Sequence, residues 1–173
     1  MDKNDYADRI EQYILDEDNE GLKALLYENP QLIFEGAYPK SKIPLYLRQE
    51  WGLQEVMLPD FLGEWANSRC FIYLTNLHIP PFVNSGELGA MPKAAIGKAR
   101  TLLEKMENLD GHLKIVIFAG LDNHYSPEIE QEVKQQCEEY RQKFMADYSV
   151  VVDLQIVSYE ALIKGLRNFS NTG

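Results

Sequence analysis

The sequence predicts an α/β protein: a mixed sheet flanked by helices, preceded by a helical segment. Three observations carry this. The last third alternates apolar strand-like runs with helical patterns, LKIVIFAG at 113–120, a long periodic segment opening at Ser126-Pro127-Glu128, and VVVDLQIV at 150–157. Such alternation joins parallel strands through crossover helices. Residues 113–120 form an unbroken apolar run, as expected of a central strand buried on both faces. Near the N-terminus, Tyr6, Ile10, Tyr13 and Ile14 recur at helical spacing.

In chain order, Asp18-Asn19-Glu20-Gly21 breaks the first helix and caps a second through Leu22, Leu25 and Leu26. Asn29-Pro30 stops that helix, because the residue before proline is pushed out of the α region. Residues 35–55 contain Gly36, Pro39, Pro44 and Gly52 and are expected to be loop with short strands. VMLPDFL at 56–62 is strand-like around a proline, which suits an edge or a strand start. CFIYLTNL at 70–77 is the next strand, rich in aromatic and β-branched residues and ended by Pro80-Pro81. A glycine-containing loop over 83–90 leads to a helix over 92–107, with Pro92 in its first turn and Ala95, Ala99, Leu102, Leu103 and Met106 along one side. Ser126 as N-cap and Pro127 at the first helical position open the helix running to Ala146. Its many acidic residues suit a solvated face. Ser158 is expected to cap a last short helix, EALIKGL.

A chain of 173 residues fits one domain. Within it we expect N-terminal helices over 1–30 and an α/β core over 35–168. The charge is lopsided, 17 basic against 27 acidic residues, net −10. Such a body repels phosphate backbones at long range, so nucleic-acid binding is expected to be weak and confined to a local basic patch. No stretch has the composition of a signal peptide or the ~20 apolar residues of a membrane helix, so a cytoplasmic protein is expected. Cys70 and Cys137 fit no metal or redox spacing and are expected to be reduced, buried thiols.

Five segments, in order, carry a resemblance. They are LKALLYENPQLIF with its Asn-Pro stop, EWGLQEVMLPDFL over 50–62, IYLTNLHIPPF, LKIVIFAGLDN, and LQIVSYEALIKG. Together they span residues 22–166 and resemble the nuclease domain of the Shedu antiphage proteins, within the PD-(D/E)xK restriction-endonuclease superfamily. The resemblance implies a restriction-endonuclease-like fold and metal-assisted hydrolysis. An Asp and a Glu would hold Mg²⁺, and a lysine two residues after the Glu would orient the attacking water.

Asp60 matches the Pro-Asp aspartate and Glu50 the upstream acid, so these two are the candidate metal-ligating residues and, with Lys93, the candidate catalytic ones. The Glu-x-Lys strand departs from the family. Tyr73, Thr75 and Leu77 occupy one face and Leu74, Asn76 and His78 the other, and no lysine occurs between Lys42 and Lys93. The expected reading is a degenerate nuclease, without a cofactor, acting through a protein partner or homo-oligomer in antiphage defence. Two alternatives stand beside it. One is an active Mg²⁺-dependent nuclease whose catalytic lysine has migrated to the following helix, Lys93 or Lys98 with Glu87, or with His78 as base. The other is an acidic inhibitor or immunity protein.

Other residues have weaker claims. Asp122-Asn123-His124 follows the 113–120 strand at the edge where α/β sheets place ligands, although such a turn is also ordinary turn chemistry. His112 stands at the opposite end of that strand and cannot share a metal with His124. Tyr6, Tyr13, Trp51 and Trp65 are candidate core residues, and the two tryptophans could also line a partner surface.

Overall fold

The computed structural model describes residues 1–43, 58–65, 68–83, 86–105 and 112–170. Helix α1 (Lys3–Leu15) begins in a capping box: Asp2 accepts from the Asp5 N–H, and the Asp5 side chain accepts from the Asp2 N–H. Helix α2 (Asn19–Glu28) is capped by Asp18, which accepts from the Gly21 N–H at 2.8 Å. Asn29-Pro30 ends it, and Pro30–Leu32 form a single 3₁₀ turn.

The main sheet has the order β1-β2-β3-β6-β7. Strands β1 (Tyr38–Pro39), β2 (Phe61–Trp65) and β3 (Ser68–Leu74) form an antiparallel meander. A two-residue hairpin follows, β4 (Phe82–Val83) with β5 (Glu87–Leu88), turning at Gly86, whose φ of 72° lies where glycine is favoured. Helix α3 (Ala90–Lys105) then crosses to β6 (His112–Phe118), parallel to β3. Helix α4 (Pro127–Tyr148) crosses to β7 (Val151–Val157), parallel to β6. Helix α5 (Glu160–Ser170) ends the described chain. The protein is thus mixed α/β, with a mixed five-stranded sheet and five α-helices among the described residues.

Both faces of the sheet are covered. On one, Phe71, Tyr73, Ile115, Ile117 and Leu154 pack against Ala95, Ala99 and Leu102 of α3 and Val133, Cys137 and Phe144 of α4. On the other, Cys70, Ile72, Leu74, Val116 and Phe118 meet Ala7 and Ile10 of α1, Leu22 and Leu26 of α2, and Leu162 and Leu166 of α5. The N-terminal helices therefore share one core layer with the last helix. Arg167 of α5 pairs with Asp8 and Glu11 of α1 at 3.0 and 2.9 Å. Tyr6 and Tyr13 pack against this layer, as expected of core residues.

The alternation of the last third is as expected. Strand β6 is interior, flanked on both sides by parallel strands, with Val116 and Phe118 buried; β3 holds the middle of the sheet. Both cysteines are free and buried, and burial pushes each thiol up to about 11. The acidic face of α4 is solvated, with Val133, Cys137 and Phe144 alone fully buried. No described helix is long and apolar enough to cross a membrane.

Three local expectations need correction. Of the strand expected at 56–62, residues 56 and 57 lie outside the described residues, 58–60 are not strand, and β2 begins at Phe61. Pro59 has no N–H to offer a ladder, and Asp60 turns its carboxylate, instead of its main chain, to β3. The strand expected at 70–77 stops at Leu74, because Asn76 accepts from the His78 N–H at 2.7 Å and turns the chain. Ser158 is not the residue that precedes α5, which begins at Glu160; its hydroxyl donates to the Asp122 carboxylate.

Candidate functional site

Asp60 sits where β2 begins, beside the carboxyl end of β3. Its Oδ1 accepts from the Tyr27 hydroxyl at 2.5 Å and its Oδ2 from the Leu74 N–H at 2.7 Å. Lys40 Nζ lies 3.9 Å from Oδ1. The Tyr27 ring stacks on Phe61, centroids 5.3 Å apart, which holds its hydroxyl over the carboxylate. Three phenols feel this charge. Burial first, and Asp60 second, raise the pKa of Tyr27, Tyr73 and Tyr159, so all three stay protonated at neutral pH. Tyr159 donates to the Thr75 carbonyl, and the Thr75 hydroxyl donates to Phe118 O at 2.7 Å.

Asp60, Tyr73, Thr75 and Lys98 line one cavity of ≈ 120 Å³, walled by Leu74, Met91, Ala94 and Ala95. The structure thus gathers Asp60, Tyr73, Thr75 and a helix lysine. That lysine is Lys98. Lys93 is exposed and paired with Glu87, whose carboxyl is held below its ordinary value by the hydrogen bond from Lys93. Lys93 and Lys98 are five residues apart, about 140° around a helix, so they face different ways. Glu50 and Trp51 lie outside the described residues, as does the Trp65 side chain.

Mg²⁺ favours an octahedral shell of oxygens. The described residues offer one carboxylate here, each oxygen already accepting a hydrogen bond, flanked by a phenol and a threonine whose hydroxyl is engaged. Among the described residues no three His, Cys, Asp or Glu side chains group for a metal. Among the described residues this donor set does not fit Mg²⁺, and Glu50, the second candidate ligand, lies outside them.

His78 places Nε2 3.1 Å from the Glu17 carbonyl oxygen. At the far end of β6, Asp122 is the centre of a second cluster that motif reading touched only in part. It accepts from the Ser158 hydroxyl and from Lys164 Nζ at 2.8 Å, and its N–H donates to Glu160 at 2.9 Å. Burial pushes the Asp122 carboxyl up, but the bonds from Lys164 and Ser158 outweigh it and hold it below the ordinary value. His124 Nδ1 accepts from the Leu121 N–H at 2.9 Å. Ser158 and Lys164 were not legible as partners, being 36 and 42 residues away. From this cluster a groove of ≈ 680 Å³ follows residues 153–158 along β7 and α4, lined by Glu130, Lys134, Arg141, Asp153 and Lys164 besides Asp122.

Comparison with protein-family models, with curated proteins and with solved structures finds no match to this chain.

Proposed function

We propose that this chain is a Shedu-like, nuclease-fold protein whose hydrolytic site is degenerate and which acts in antiphage defence by binding a protein partner, without a metal cofactor. The observation that carries the reading is the engagement of Asp60. Its oxygens accept from the Tyr27 hydroxyl and the Leu74 N–H, so the aspartate secures α2 and β3 to β2. On the strand that resembles the family's Glu-x-Lys strand, neither the face of Tyr73 and Thr75 nor that of Leu74 and Asn76 carries a carboxylate or an amine. The antiparallel meander followed by two parallel crossovers supports the family reading. For the partner, the groove along β7 is the favoured surface. It alternates Lys134, Arg141 and Lys164 with Asp122, Glu130 and Asp153. Mixed signs suit a complementary protein surface better than a uniformly anionic backbone.

The test is cleavage of plasmid and single-stranded DNA with Mg²⁺ and with Mn²⁺, beside phage plating on cells expressing the chain. The expected result is no cleavage above background, and protection that survives Lys98→Ala but is lost in a Lys134→Glu, Arg141→Glu variant. The presence of Lys98 in the Asp60 cavity favours one rival, an active nuclease with a migrated lysine. Robust cleavage abolished by both Asp60→Asn and Lys98→Ala would establish that rival instead.

A further inference from the structure

The two edges of the main sheet differ in character. Among the described residues, one edge is β1, two residues long and ending in Pro39. Short strands and proline are ordinary means of keeping an edge from recruiting another strand. The other edge is β7, seven residues without a proline. Its ladder with β6 runs one to one from His112↔Val151 to Phe118↔Val157, so no bulge bends it away. The Ala119 N–H donates to the Val157 carbonyl at 2.9 Å, which turns the Val157 backbone toward β6. Backbone groups alternate in direction along a strand, so Asp153 and Gln155 also face β6. Val152, Leu154 and Ile156 therefore present N–H and C=O to the open edge. There the Ile156 N–H meets the Cys137 thiol, a weaker acceptor than a carbonyl. The groove along β7 and α4 leaves room beside this edge.

Such a row of backbone groups selects an extended strand, and the faces of β7 select which one. Val152, Leu154 and Ile156 lie on the face that packs against α3 and α4. Val151, Asp153, Gln155 and Val157 lie on the other, where Val151 is 49% exposed. A second β7 fits both faces. Set antiparallel across a two-fold axis at Leu154, it brings Leu154 opposite Leu154 and Val152 opposite Ile156 of the second copy. These are the residues with outward backbone groups, and each facing pair exchanges two hydrogen bonds. On the other face Asp153 meets Gln155, a carboxylate against an amide, and exposed Val151 meets Val157. An axis at Asp153 would pair groups already bonded to β6 and oppose two carboxylates. Axes at Val152 or Ile156 would set Asp153 against Val151, or Gln155 against Val157. We propose that the chain forms a two-fold dimer by antiparallel pairing of β7 with β7, which continues the sheet through both copies. The proposal rests on the reading of this groove as a protein-binding surface and names its occupant. Each copy carries a net charge of −10, so their approach is opposed at long range and salt strengthens the pairing.

The experiment is sedimentation equilibrium of the full chain over a range of concentrations, beside NMR hydrogen exchange at low and high concentration. The mass is expected to rise from 19.9 kDa toward twice that value. It is expected to do so at lower protein concentration in ~300 mM than in ~20 mM NaCl. The Val152 and Leu154 amides are expected to gain protection with concentration, and those of Asp153 and Gln155, bonded to β6 in either state, are not. Gln155→Asp, at an exposed position, opposes like charges at both symmetric places and is expected to weaken the dimer about fivefold or more. Gln155→Lys is expected to tighten it by about as much, and the gain to vanish when Asp153→Asn is added. A chain that stays at 19.9 kDa, exchange at Val152 and Leu154 independent of concentration, or equal dimerisation of the Gln155→Asp and Gln155→Lys variants would each overturn the proposal. A monomeric chain whose phage protection is still lost in the Lys134→Glu, Arg141→Glu variant overturns the dimer and leaves the protein-partner reading standing.

Discussion

Replacing Asp60 by alanine separates a structural carboxylate from a catalytic one. The substitution removes the acceptor of two part-buried donors, the Tyr27 hydroxyl and the Leu74 N–H. Hydrogen bonds to a charged group contribute ~1.5–3 kcal/mol each, and a donor left buried without a partner costs ~1–3 kcal/mol. The Asp60 side chain retains 17% exposure, so water relieves part of that loss. Taking the lower end for each donor gives a destabilisation of about 3 kcal/mol. For a chain of this length each kcal/mol moves Tm by ~2–4 °C, so a fall of about 6–12 °C is expected. Asp60→Asn keeps one acceptor and is expected to lose about half as much. Tyr27→Phe keeps the stack on Phe61 and is expected to cost ~1 kcal/mol. Urea denaturation of the parent, the single variants and the Asp60→Ala, Tyr27→Phe double variant provides the coupling energy between the two side chains. Active-site residues are selected for function at the expense of stability, so their removal is commonly neutral or stabilising. An Asp60→Ala protein as stable as the parent, with no coupling to Tyr27, would refute the argument.

Two further outcomes follow from the β6–α4 turn. Burial first, and the neighbouring His78 second, lower the pKa of His124, whose Nδ1 must stay unprotonated to accept from the Leu121 N–H. Its folded pKa lies below the unfolded value of ~6.5. Its contribution to stability is therefore present above that value and lost as pH falls through the folded one. Urea midpoints at pH 7.5 and pH 5 are expected to differ by less in His124→Gln than in the parent. Gly120 has φ of 70°, and a Cβ built there would lie 2.6 Å from His124 Nδ1, so Gly120→Ala meets both backbone strain and a clash. Thermal unfolding is expected to show a loss of ~1–3 kcal/mol.

How far the sequence revealed this molecule depended on the range of the forces involved. The strands at β6 and β7 and the helix between them were legible because each is patterned locally: a continuous apolar run, a serine cap with proline behind it, an alternating edge strand. The caps at Asp2 and Asp18 act over three residues. The start of β2 was not legible, since VMLPDFL has strand composition and only the bond from Leu74, 14 residues on, shows where Asp60 points. The role of Asp60 was hidden for the same reason, its other donor lying 33 residues away. The choice between Lys93 and Lys98 did leave a signal. Met91, Ala94, Ala95 and Lys98 fall at the i, i+3, i+4, i+7 positions of one helix face, and that is the face on the cavity. Lys93 is out of phase with it.

The joining of α1 to α5 has a kinetic consequence. Arg167 and Asp8 are 159 residues apart in the chain, yet their helices complete one apolar layer. A ribosome adding ~5–20 residues per second leaves the inner face of α1 and α2 waiting roughly 8–30 s for its covering helix. During that interval Ile10, Leu22, Leu25 and Leu26 are open to water and to other nascent chains. The layer closes only through contacts between segments as far apart in the chain as Asp8 and Arg167. Non-local pairing of this kind is slow to form and leaves apolar surface exposed while it does.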